Sequence, residues 1–277
     1  MQASAASDPA QAAIIRRHHL TFLGAQGPPM LFCHGLGMDQ TLWRALAPGF
    51  ADRHRVILMD LVGSGRSDLA AYRLGQYASI QGHIDDVARL VQTLDLRGLV
   101  YVGHSVGAMV GLAAALDMPE RFAALVMLGA SPRYLEDGDY HGGFRPRDVA
   151  ELLEGFDANR EAWTGQMAAT AAANPDRPEL AEEVRTRFLD ADPSILRQFV
   201  QATFAVDFRR DLGWCRTPAL LLQSREDPIV PVAVSEYLAR ALPGARLRYL
   251  ATSGHFASLS APGEVAAAMG DFLAGLG

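Results

Sequence analysis

The chain has 277 residues, 49% hydrophobic and 20% charged, with 25 basic and 31 acidic side chains for a net charge of −6. That length and apolar content support one sizeable core. The acidic balance excludes a nucleic-acid stripe, since Arg16-Arg17-His18-His19 is too short a basic cluster to outweigh its surroundings.

Residues 1–13 have neither a basic start nor an apolar stretch, so they read as a disordered tail rather than a signal peptide. No apolar run is long enough to span a bilayer. Cys33 and Cys215 stand far apart with no secretory context, which points to a reduced, cytoplasmic setting. From His19 onward, strand and helix patterns alternate. Strands are predicted at His19–Leu23, Met30–Cys33, Arg55–Asp60, Leu99–Val102, Ala124–Leu128, Ala219–Gln223 and Arg246–Leu250. Helices are predicted at Gln40–Leu46, Ile80–Leu94, Val106–Leu116, Val232–Leu242 and Gly263–Leu276. Short, continuous apolar strands flanked by helices predict an α/β fold, with a mostly parallel sheet covered on both faces.

Between about Tyr134 and Phe204 the alternation stops. Helical patterns follow one another at Asp148–Phe156, Arg160–Ala173, Glu179–Leu189 and Pro193–Phe204, punctuated by Asn174-Pro175 and Asp192-Pro193. Strand patterns resume directly afterwards. The segment 134–204 therefore reads as a four-helix lid inserted into a core of 14–133 and 205–277, with a separate helical domain as the alternative. Such a lid would cover the carboxyl ends of the strands, where α/β sheets bind ligands.

Four signals fall at predicted strand ends. Gly103-His104-Ser105-Val106-Gly107 joins an apolar strand to a helix, a turn that pushes the Ser105 hydroxyl outward. His34-Gly35-Leu36-Gly37 follows another strand, so the Leu36 and Val106 N–H groups could form an oxyanion hole. Asp227, in Ser224-Arg225-Glu226-Asp227-Pro228, is a loop acid able to fix a histidine tautomer, with Glu226 as its rival. His255 follows the last strand and could act as general base. The chain order Ser, Asp, His is that of hydrolases built on this type of sheet. No His-Glu-x-x-His and no Cys/His cluster suggests a metal.

These motifs resemble the α/β-hydrolase fold over nearly the whole chain. Within that superfamily the sequence is similar to RsbQ-like bacterial stress-response regulators and, more distantly, to plant karrikin and strigolactone receptors. The resemblance is carried by Gly37-Met38-Asp39-Gln40-Thr41-Leu42-Trp43, by Asp60-Leu61-Val62-Gly63-Ser64-Gly65-Arg66-Ser67-Asp68 and by the Gly103–Ala108 turn. It continues through Gly142-Gly143-Phe144, Asn174-Pro175-Asp176-Arg177-Pro178-Glu179 and Arg197-Gln198-Phe199. It implies Ser105, Asp227 and His255 as a slow catalytic triad, Leu36 and Val106 as oxyanion donors, and no cofactor. It also implies an apolar pocket lined by Leu36, Val106, Trp163 and Phe204. The signalling role it implies runs through a small hydrophobic ligand and a PAS-containing phosphatase. Leu36 stands where the family usually has Phe, and Phe256-Ala257-Ser258 where it tends to continue Pro-His. A metabolic esterase or C–C bond hydrolase is the alternative enzyme, and a ligand sensor with protein binding as its output is the alternative of another class.

Overall fold

A computed structural model describes residues 8–276. Asp8 caps the helix α1 (Pro9–Arg17) through its carboxylate, and Pro9 occupies the first turn, where a missing N–H costs nothing. Residues 9–13, expected as part of a disordered tail, are thus helical, while residues 1–7 lie outside the described residues. Two long-range contacts explain the difference: Ile14 is buried in the core, and Arg17 bonds the wholly buried Asp86 carboxylate.

The strands follow in chain order as β1 (Thr21–Leu23), β2 (Pro29–Cys33) and β3 (Arg55–Met59). Gln40–Trp43, expected as the start of an α-helix, is a single tight 3₁₀ turn capped by Asp39. Next come α2 (Gln81–Thr93), β4 (Leu99–His104), α3 (Val106–Asp117) and β5 (Phe122–Leu128). Four helices then run consecutively, α4 (Pro146–Ala158), α5 (Arg160–Ala172), α6 (Pro178–Asp190) and α7 (Pro193–Phe204). The chain closes with β6 (Ala219–Glu226), α8 (Val232–Ala241), β7 (Arg246–Ser253), the short α9 (Ala257–Ser260) and α10 (Pro262–Ala274).

The strands form one seven-stranded sheet in the order β1-β3-β2-β4-β5-β6-β7. Only the β1–β3 pairing is antiparallel. Every residue of β2 and β4 is buried, as expected of central strands covered by helices on both faces. Helix α3 is buried almost throughout, which is why its sequence is Ala- and Gly-rich and has no polar face. The helices α4 to α7 contribute Phe156, Ala171, Phe188 and Phe204 to the same hydrophobic cluster as the sheet residues. They lie between β5 and β6 in the chain, and their residues Met167, Ala171, Phe188 and Phe204 line a cavity together with Ser105 and His255.

Candidate active site

The turn from β4 to α3 is the most constrained piece of backbone in the site. Ser105 sits at φ 56° and ψ −130°, outside the regions that ordinary side chains prefer. Its N–H is tied to Leu128 O of β5 at 2.8 Å, so the sheet itself holds the strained residue in place. Gly107 permits the close approach: a Cβ there would stand 2.1 Å from the His34 carbonyl oxygen. The result is a serine hydroxyl projecting from the start of a helix, where the dipole favours developing negative charge.

Three side chains from three strand ends converge on that hydroxyl. The Ser105 Oγ lies 2.8 Å from His255 Nε2, and His255 Nδ1 lies 2.8 Å from Asp227 Oδ2. The other Asp227 oxygen accepts the N–H groups of Ile229 at 2.8 Å and Val230 at 3.0 Å. Burial alone would push the Asp227 carboxyl up. The adjacent His255 and the two backbone donors outweigh it and hold the group below its ordinary value. With Asp227 ionised, Nδ1 carries the imidazole proton and Nε2 is left to accept from Ser105. Glu226, the rival acid, is exposed and accepts from Ser253 Oγ instead.

Two further side chains complete the floor. Tyr134, almost fully buried at the start of the lid, places Oη 3.1 Å from Ser105 Oγ. Since the serine proton points at His255, the tyrosine O–H is the donor of this bond. Burial raises the Tyr134 phenol above its ordinary value, so it remains a neutral donor. His104 donates from Nε2 to the His255 carbonyl oxygen at 2.9 Å, and burial depresses it to about 3, so it is neutral. Neither residue was singled out as a site residue from sequence. Tyr134 lies outside every motif, and His104 reads only as part of the turn.

The Leu36 and Val106 N–H groups donate to no protein acceptor among the described residues. Both stand beside the nucleophile, because the Gly35 Cα faces the Ser105 Cβ closely enough that a Cβ on Gly35 would sit 2.9 Å from it. His34 fixes this loop. Its Nε2 accepts the Leu61 N–H at 3.0 Å, which leaves Nδ1–H to bond the Gly35 carbonyl at 2.8 Å. That carbonyl belongs to the same peptide plane as the Leu36 N–H.

Above the floor lies a cavity of about 40 Å³, room for two or three waters. Leu36, Met167, Phe188, Phe204, Ile229 and Phe256 supply its apolar wall. Of the expected pocket residues, Leu36 and Phe204 line it and Val106 and Trp163 do not. The Val106 side chain is buried in the core. Trp163 packs edge-on against Phe156 at 5.0 Å and borders a groove between α4 and α5, one helical turn outward from Met167. Among the described residues no group of three or more His, Cys, Asp or Glu side chains could hold a metal ion. No helix there is long and apolar enough to cross a membrane.

A family model for the alpha/beta hydrolase fold matches residues 28–262. The chain belongs to the α/β-hydrolase family. It is 34% identical over 254 residues to a strigolactone esterase of Arabidopsis thaliana, covering 91% of this chain and 95% of that protein. It is 34% identical over 250 residues to the Karrikin insensitive 2 receptor CA of Petunia hybrida, covering 90% and 92%. A solved hydrolase from Oleispira antarctica superposes with a TM-score of 0.93 at 30% identity, covering 95% of this chain and 97% of that one. The kinship with strigolactone and karrikin proteins expected from the sequence motifs is therefore found. Within the hydrolase family, the serine turn, the loop acid and the late histidine occupy the strand ends where this fold carries its chemistry.

Proposed function

We propose that the protein is a serine hydrolase of small, largely apolar carboxylic esters or lactones, including butenolide-type ligands. Ser105 attacks the carbonyl while His255 Nε2 takes its proton, and Asp227 holds the imidazole and stabilises the cation that forms. The Leu36 and Val106 N–H groups receive the oxyanion. His255 returns the proton to the leaving alkoxide, then activates the water that releases the acyl group. The observation that carries this reading is the unbroken chain from Ser105 Oγ to His255 to Asp227, both links at 2.8 Å. The apolar cavity wall argues for a substrate without charge.

The test is a progress curve on a short aryl ester and a butenolide-linked fluorogen, read together with intact mass. Wild type is expected to turn over at least one of them and to carry a transient acyl adduct. Ser105→Ala should lose both, and a mutant retaining most of the activity overturns the assignment.

A second reading, a receptor whose output is partner binding, is favoured by the near full-length similarity to a karrikin receptor. On that reading hydrolysis is slow and stoichiometric, and the ligand-bound lid recruits a protein such as a PAS-containing phosphatase. A ligand-dependent pull-down that needs Ser105 supports it. Fast linear turnover with no captured partner favours the free-standing esterase.

A further inference from the structure

The strand β6 carries one residue that its apolar surroundings do not explain. Ala219, Leu220, Leu221 and Leu222 are buried, and so is Gln223, at 1% exposure. Its Nε2 lies 3.0 Å from the Val230 carbonyl oxygen and 3.2 Å from that of Ser224. Carbonyl oxygens can be met only by donors, so the NH₂ end faces them. Oε1 is then left buried with no partner. An orphaned buried acceptor costs on the order of 1–3 kcal/mol. Another leucine would remove that orphan but leave the Val230 carbonyl without its donor.

What this donor holds is the turn of the acid. The β6–β7 register shifts between Ser224 and Glu226, just before Asp227, and such irregularities re-aim the side chains beside them. Val230 is gripped on both sides: its N–H goes to Asp227 Oδ1 at 3.0 Å, and its carbonyl takes the Gln223 amide. Among the described residues, the Gln223 bond is the one that ties residues 228–230 directly to β6.

The geometry points to Gln223 as a positioning residue for Asp227. By holding the Val230 carbonyl, it keeps the Val230 N–H on Oδ1 and so turns Oδ2 toward His255 Nδ1. Resting on the hydrolase reading above, this gives a buried amide that bonds neither Ser105 nor His255 a part in the chemical step. Without the amide, the Val230 carbonyl turns toward another donor and draws the N–H off Asp227. The 2.8 Å bond from His255 Nδ1 to Oδ2 then lengthens.

Two variants test this. Gln223→Met keeps the volume and removes both donors, and Gln223→Asn keeps an amide that falls one methylene short of Val230. Each is compared with wild type by kcat and KM on p-nitrophenyl acetate. The second readout is the low-field proton resonance of His255 Nδ1–H, assigned by its loss in His255→Gln, with thermal melts to confirm folding. In either folded variant kcat should fall about tenfold, the scale of one hydrogen bond, with KM unchanged. The resonance should move upfield as the bond to Asp227 lengthens. A resonance unmoved in a folded variant overturns the proposal whatever happens to the rate, and so does a loss carried by KM alone. If the resonance moves but wild type cleaves no ester, the positioning role stands and the hydrolase reading falls.

Discussion

Replacing Asp227 by Asn tests the catalytic chain at the point where the structure dictates the outcome. The residue has two acceptor duties: one oxygen takes the Ile229 and Val230 N–H groups, the other takes His255 Nδ1–H. An amide has only one acceptor oxygen. The two backbone donors are fixed by the turn, so the Asn oxygen stays with them and its NH₂ faces Nδ1. Two donors cannot share that contact, so the imidazole moves its proton to Nε2. It then donates to Ser105 Oγ instead of accepting from it, and the general base is gone. The same replacement in other Ser-His-Asp hydrolases removes about 10⁴ of rate, or about 5 kcal/mol at about 1.4 per decade. Because both backbone bonds survive, the fold should persist. The assay is kcat/KM on the hydrolysed ester from pH 6 to 9, with far-UV circular dichroism and Tm as controls. A folded Asp227→Asn enzyme within about tenfold of wild type would refute the argument.

Tyr134→Phe removes only the hydroxyl that bonds Ser105 Oγ. With the His255 bond intact, kcat should fall about three- to tenfold, the share of one neutral hydrogen bond, without loss of the acyl adduct in intact mass. Acid stability depends on His83, buried between the rings of Tyr77 and Phe199 with Nδ1 unpartnered. Burial, aided by His34 and His18, depresses it to about 3 from an ordinary 6.5. Between those values the unfolded chain binds the proton and the folded chain does not, so stability falls as pH falls. The slope is about 1.4 kcal/mol per pH unit, hence about 2 kcal/mol lost by pH 5. His83→Phe keeps the ring contacts and should flatten the fall in Tm between pH 7 and 5 by roughly 4–8 °C. An unchanged slope in thermal melts counts against a neutral His83.

How much of this was legible in the sequence depended on the range of the cause. The central strands were readable because burial on both faces writes a continuous apolar run, as in Leu99–Val102. The convergence of Ser105, Asp227 and His255 was readable because each sits at a strand end, so the topology that brings them together is already implied by their order. Helix α1 was misread although Asp8 and Pro9 are good local start signals. Its anchor, Asp86, is 69 residues from Arg17 and invisible to any local pattern. Trp163, Met167 and Ala171 share one face of α5 at helical spacing, yet only the last two reach the cavity. Spacing gives the face of a helix but not how far along its axis the cavity extends. Tyr134 carried no signal, since a lone hydroxyl acquires meaning only from what surrounds it.

The inserted helices α4 to α7 also hold the histidine loop. The His255 N–H donates to Ala171 O at the end of α5 at 2.8 Å, and Asn174 Nδ2 donates to Ser253 O at 2.9 Å. Arg177, at the start of α6, reaches Ser260 O at 2.7 Å just beyond the histidine. Between these bonds lies Gly254 at φ +85°, where a Cβ would stand 2.0 Å from Ala172 O, so the histidine loop and the lid are in backbone contact. His255 is therefore held from two sides, by Asp227 and His104 of the sheet and by the α5–α6 corner of the inserted helices. Removing the lid does not simply widen access to Ser105. It takes away the acceptor of the His255 N–H and the wall that fixes Gly254. Activity lost on lid deletion then reports a displaced base as much as a missing binding site. Substitutions confined to cavity-facing side chains, such as Met167 or Phe204, leave those backbone bonds in place and separate the two effects.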